Sequence, residues 1–357
     1  MGELIKRRAA AAAAEGQLDA EKRKRMHQFL ASDELKKREG AYGAMRKLGE
    51  DYREEYGEML VMAKEFHRKA LVKVVKDELS RDRSVEGLKE AYAAWAAKRV
   101  EAFDLVRTNW KVAEPGNYGA KHKEMDGAFG EAEAAYGKVL RAMKPAGTAL
   151  VQLGGKLEGP AGALGEIERE LAWCDGRDER GGEFDPDGVL SDSGAGEVAD
   201  SRRLMAMLEA GVAETRVVAR HNAGSDWAGE ELKVFAVILN GRRAALGLGV
   251  LRLDELLSNA CAGHSEEMGR LGYFAHESPV EENRNFGKRA RNHEFEGQPV
   301  GECIYVGGGG AKGSHGAWWY SDGHRLIMYM DGPNTLGLGV SGSHWTLNTG
   351  KKAWPKG

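Results

Sequence analysis

The stretch Tyr273-Phe274-Ala275-His276-Glu277-Ser278-Pro279 decides how this chain is read. It sets a histidine after an apolar aromatic pair and before a proline that cannot continue a helix. Two later stretches answer it. Gly301-Glu302-Cys303-Ile304 follows Pro299-Val300, where a short strand can begin, and Trp319-Tyr320-Ser321-Asp322-Gly323-His324-Arg325 places a histidine after a glycine that suits a helix end. Two imidazoles and a carboxylate from three separate segments are the raw material of a site, and no local packing motif requires them.

The segment just upstream reads as helix. Asp254 suits an N-cap, apolar positions follow at Leu257, Cys261, His264, Met268 and Leu271, and Gly272 is placed to end the helix. Another helix is expected from Glu230 to Leu246. Beyond Pro299 the pattern predicts strands over 299–306, 336–340 and 344–348, with a short helix around 317–320. Helices followed by a small antiparallel sheet make an α+β layered arrangement.

The first half differs. From Met45 apolar residues recur in steps of three and four through Tyr56, Met59, Phe66 and Val74. Ser84 can cap a second helix bearing Leu88, Trp95 and Trp110. Pro115-Gly116-Asn117 is a break. A third helix carries Phe129 and Tyr136 and is expected to stop before Pro145, and a fourth follows Gly159-Pro160. Four amphipathic helices with short breaks suggest an antiparallel bundle. Residues 175–201 are rich in Asp, Gly and Ser and read as a linker. Val198 to His221 is helical again. The organisation expected is a helical bundle over 1–174, a linker over 175–201, a connecting helix over 202–226 and a final domain over 227–357.

Composition bounds the function. The 357 residues are 42% hydrophobic and 30% charged, with net charge -3. No basic footprint for nucleic acid exists, so no such partner is expected. No run approaches the roughly 18 apolar residues of a membrane span. The alanine run after Arg8 ends at Glu15 and reads as a helix start, so no signal peptide is visible. Three cysteines, Cys174, Cys261 and Cys303, rule out complete pairing and show no CxxC spacing. Cys261 and Cys303 can pair only if folding brings them close; buried thiols are the default. Lys22-Arg23-Lys24-Arg25 is too small a run to imply a polyanion partner.

Sharper motifs fail. Glu183, Asp185 and Asp187 mimic a calcium loop, but Gly194 stands where a bidentate Glu is needed. His276-Glu277 lacks the second histidine of HExxH, and residues 310–314 miss the P-loop. His264 lies on the apolar side of its helix and reads as core. His293, His315 and His344 have no visible partners and default to surface or strand positions. Trp318 and Trp319 cannot share a helix face, so one is assigned to the core and the other to a cavity wall.

The ordered set Asn240-x-x-Arg243, Gly247-Leu248, Asp254, His264-Ser265-x-x-Met268, Gly272 through Pro279, Gly301-Glu302-x-Ile304, Trp318-x-x-Ser321-x-Gly323-His324-Arg325 and Gly337-x-Gly339-Val340 resembles the bacterial branch of the CAP (SCP) superfamily. That superfamily includes the cysteine-rich secretory and pathogenesis-related proteins. The resemblance covers about residues 232–350. It implies an α-β-α sandwich after the helical region, an extracytoplasmic or secreted setting, and a surface cavity lined by His276, His324 and Glu302. Two departures stand out. Cys303 replaces the asparagine of the family's Gly-Glu-Asn pattern, and the second family acid has no clear match.

The three residues suit several chemistries. Neutral imidazoles with a carboxylate bind zinc or another divalent cation, giving His276, His324 and Glu302 as metal ligands. The same cavity suits a small-molecule or lipid-like ligand. If the protein is an enzyme, Glu302, His276 and His324 are the catalytic candidates of a peptide or ester hydrolase. A scaffold with an inert cavity is the third reading. The helical region is expected to serve self-association or attachment to a protein partner.

Overall fold

The structure, a computed structural model, describes residues 53–175 and 196–355. The early apolar positions Met45 to Tyr52, the basic run at Lys22, the calcium-like loop and most of the expected linker lie outside the described residues.

Among the described residues there are ten α-helices and four strands. They are α1 (Arg53–Arg81), α2 (Ser84–Arg107), α3 (Trp110–Ala113), α4 (Tyr118–Cys174), α5 (Gly196–Ala223), α6 (Glu230–Ala245), α7 (Glu255–Leu271), α8 (Phe286–Asn292), α9 (Gly310–Trp319) and α10 (Asp322–Met328). The strands are β1 (Arg252–Leu253), β2 (Gly297–Val306), β3 (Thr335–Ser341) and β4 (His344–Lys352). The chain is α+β, a large helical region followed by a C-terminal α/β part. Among the described residues no helix is long and apolar enough to cross a membrane.

The packing forms two compact units. One holds residues up to Leu88 with Met143–Ala206, the other Lys89–Ala142 with Met207–Gly357. In the first, Tyr56, Met59, Leu60 and Ala63 of α1 bury against Ile167 and its neighbours in α4. Here one expectation fails. The third and fourth helices are a single helix, α4, with Pro145 and Pro160 inside it. Each proline lacks an N–H and crowds the carbonyl four residues back, at a cost of about 3 kcal/mol. Ala146, Leu150, Leu153, Leu157, Ala161 and Leu164 are buried along this segment in steps of three and four. That tertiary burial outweighs two local penalties.

The second unit contains the C-terminal sandwich. Its sheet has the order β1-β3-β4-β2, so β2 is an edge strand. β1 pairs parallel with β3, so the sheet is mixed and not purely antiparallel as expected. β1 is only two residues long, too short for a periodicity to mark. α7 packs on one face, over β3 and β4, with α8 beside it, while α6, α9 and α10 cover the other. β3 shows why α7 lies so close. A Cβ on Gly339 would stand 2.0 Å from Ala262 N, and one on Gly337 2.5 Å from Leu257 Cγ. The alternate residues Leu336 and Leu338 point the opposite way, into a core with Phe235, Trp318 and Trp345.

α7 has the expected caps. Asp254 accepts a hydrogen bond from Leu257 N, and Gly272 adopts φ 68, the left-handed conformation a glycine takes without strain. Two expectations nearby are corrected. The helix expected at 317–320 is α9, beginning at Gly310, where Glu231 Oε2 accepts from Ala311 N and satisfies a free helix-start donor. Gly323 does not end a helix, because Gly323 and His324 lie inside α10.

Helices 89–142 pack against this C-terminal part. Trp95 Nε1 donates to Ala245 O at 2.8 Å, and Phe129 meets Trp319 edge-on at 5.4 Å. The motif residues Asn240 and Arg243 act as clamps. Asn240 bonds both backbone groups of Leu251, and Arg243 donates to Gly249 O and Met328 O.

Candidate functional site

The three segments meet at the edge strand. Glu302 lies within β2, opposite Asn348 of β4. Neighbouring Cys303 faces the α6/α9/α10 side. Glu302 is buried, with its side chain 2% exposed, while the His276 side chain is 53% exposed. His276 Nδ1 lies 3.0 Å from Glu302 Oε1. An ionised carboxylate only accepts, so Nδ1 carries the proton and donates it. In the neutral ring Nε2 then keeps its lone pair. The other carboxylate oxygen is taken as well, because Arg289 Nη2 donates to Glu302 Oε2 at 2.5 Å. Glu302 is thus an orienting group with both oxygens engaged.

His324 comes from α10 on the other side of the strand. Its ring lies 6.3 Å from that of His276, centroid to centroid, and 6.3 Å from Trp318. Burial, and secondarily the charge that a protonated His276 would carry, hold its pKa below the ordinary value and favour the neutral ring. The adjacent tryptophans separate as their helix positions demand. Trp318 packs beside His324 and donates to Ile304 O, whereas Trp319 turns to the helices and donates to Asp126 Oδ1. Both are 1% exposed, so each is core, and Trp318 also walls the site.

A supporting layer holds the His276 loop, and sequence reasoning missed its central members. Arg289 of α8 donates to His276 O and Asn283 O as well as to Glu302. Glu267 of α7 accepts from Tyr273 OH at 2.6 Å, from Asn283 Nδ2 at 2.9 Å and from Ser278 Oγ. Burial opposes ionisation of Glu267, but these three donors hold its pKa below the ordinary value. His264 is buried as expected of a core residue, and its Nε2 meets Ala275 O at 3.1 Å. Ser278 and Tyr273 belonged to the quoted stretch. Glu267 and Arg289 carried no signal beyond lying on the helices beside it.

The remaining residues fall as follows. His315 is buried in α9, not at the surface, and bonds Tyr329 OH at 2.9 Å. Its helix reaches further back than the pattern indicated and turns it inward. His293 follows α8 and is exposed, and His344 opens β4. Cys261 and Cys303 are free, buried thiols that form no disulfide. Among the described residues no group of three or more His, Cys, Asp or Glu is placed to hold a metal ion. Glu302 thus has both oxygens engaged, whereas His276 bonds it through Nδ1 alone.

The chain is α+β, and its C-terminal α/β part carries the motifs that resemble SCP domains. No family model matches the chain. Two curated proteins of Bacillus subtilis (strain 168) are similar to it. The uncharacterized protein YkwD is 30% identical over 119 residues, 30% of this chain and 42% of its own. The uncharacterized membrane protein YlbC is 31% identical over 117 residues, 31% of this chain and 32% of its own. The chain spans less than half the length of either relative. An extracellular protein containing a SCP domain from Bacillus anthracis str. Ames aligns at 27% identity over 34% of this chain and 40% of that one, with a TM-score of 0.32. An outer surface protein from Borrelia burgdorferi aligns at 16% identity over 35% of this chain and 94% of its own, also with a TM-score of 0.32.

Proposed function

We propose that the C-terminal part is an extracytoplasmic binding module that takes a divalent cation, with zinc the natural probe, or a small ligand between His276 and His324. The observation that carries this is the hold of Glu302 on His276 Nδ1. A carboxylate that fixes the tautomer and aims the other ring nitrogen outward is the usual outer support of a metal-binding histidine. A neutral His324 facing it supplies a second donor. Two protein ligands leave coordination positions for water or a ligand atom. The extracytoplasmic setting rests on the motif resemblance, and the helical region is read as serving attachment or self-association.

Calorimetric titration of zinc into the protein and into a His276→Ala, His324→Ala double variant tests the reading. Heat from the wild type alone supports it. Equal binding by both removes the metal version and leaves the small-ligand one to a ligand screen on the same pair.

The same geometry favours one second reading. An imidazole oriented by a buried carboxylate is also a general base. In a hydrolase, His276 Nε2 would take the proton from water, and Glu302 would act through His276. A peptide and ester screen comparing wild type with Glu302→Gln tests this, and turnover that the substitution leaves unchanged counts against it.

A further inference from the structure

We infer that the helices over residues 89–142 are a working part of the site: they set the position of His324 by latching α10, with Arg325 and Asp322 as the positioning residues. This rests on reading His324 as a site residue and goes beyond it, because it gives part of the helical region a role inside the site.

The latch is a charge pair fitted between two helix ends. Arg325 is fully buried. It donates from Nε to Val106 O at 2.7 Å and from Nη2 to Thr108 O at 3.0 Å. These carbonyls close α2, where the backbone has no intrahelical donor left and the helix dipole favours a cation. Asp322 accepts from Arg325 Nη2 on one oxygen and from Lys111 N, in the first turn of α3, on the other at 2.7 Å. Asp322 thus satisfies a first-turn N–H of α3 while it pairs with the cation at the end of α2. Arg325 Nη1 also donates to Trp319 O, and Asp126 of α4 accepts from both Trp319 Nε1 and Tyr320 OH.

α10 has seven residues, too few to be a stable helix alone. Asp322 and Arg325 are three apart and share one face, which the latch fixes. His324 lies between them in sequence and is therefore turned away from that face, toward Trp318 and His276. Any rotation of α10 about its axis would carry the His324 ring with it.

The test uses the full chain with isotope-labelled histidine and tryptophan. Arg325→Lys keeps the charge but has one nitrogen where three carbonyls must be met. Asp322→Asn keeps the shape but turns a donor toward either Lys111 N or Arg325 Nη2, both of which need an acceptor, and it carries the test alone if Arg325→Lys does not fold. NMR reads the ring contact between His324 and Trp318 without metal, with His264, on the far face of the sheet, as control. The expected result is loss of the His324–Trp318 contact with His264 unchanged, and zinc affinity lowered about tenfold or more. An unmoved His324 in a folded variant overturns the inference, as does equal displacement of His324 and His264. Failure of the wild type to bind zinc counts against the functional reading alone, because the ring contact is read independently.

Discussion

Arg289 Nη2 lies 2.5 Å from Glu302 Oε2, and the two side chains are 3% and 2% exposed. The pair joins α8 to the edge strand beneath the His276 loop. A buried pair gains little net stability, but losing one partner strands a charge without water. Arg289→Met is expected to lower stability by about 3 to 5 kcal/mol in urea denaturation. Adding Glu302→Leu should recover a large part of that loss, because no charge then remains to be satisfied. If the double variant is no more stable than the single, the pair is not the source of the loss.

Two buried histidines, one on each face of the sheet, predict a pH dependence. Burial holds His264 at about 4 and His315 at about 3. In the unfolded chain both titrate near 6.5. The unfolded state therefore takes up protons first as the pH falls. These contributions are intact above pH 6.5 and are lost progressively toward pH 4 and 3, amounting to a few kcal/mol. Denaturation midpoints should fall between pH 7 and 4, and His315→Gln should flatten the slope. An equal slope in that variant would refute the assignment to His315.

Gly339→Ala should fail by collision. The added Cβ would meet Ala262 N at 2.0 Å and Cys261 C at 2.3 Å, backbone atoms of a helix already seated on the strand. Overpacking of this kind costs about 3 kcal/mol or more. A thermal melt within a degree or two of wild type would show that α7 can lift from β3.

The thiols should differ in reactivity. Cys261 and Cys303 are buried, and burial pushes both thiols well above their ordinary pKa. Cys174 is half-buried. A thiol reagent read by mass spectrometry should label Cys174 first and the other two only after denaturant is added. Early labelling of Cys303 would mean that the strand beneath His324 opens readily.

Much of the α/β part was legible in the amino-acid order. The caps Asp254 and Gly272, the helical steps of α7 and the strands around Glu302 and Leu338 are local features, fixed by the nearest few residues. The gathering of His276, Glu302 and His324 came from motif order. The supporting residues were not legible. Arg289 and Glu267 are charged residues on helices, and any pattern assigns such residues to solvent until a partner is seen.

Residue order alone set the type of most long elements, through a periodicity that neighbours along the chain already express, while the choice of His276, Glu302 and His324 came from the motif resemblance. It took the folded arrangement to run α4 through two prolines, to stand Trp318 rather than Trp319 beside His324, and to bring Arg325 to the end of α2. Each of these turns on burial and hydrogen-bond partners supplied by residues far along the chain. A buried carbonyl accepts from whichever donor folding brings to it, and the surrounding sequence does not name that donor.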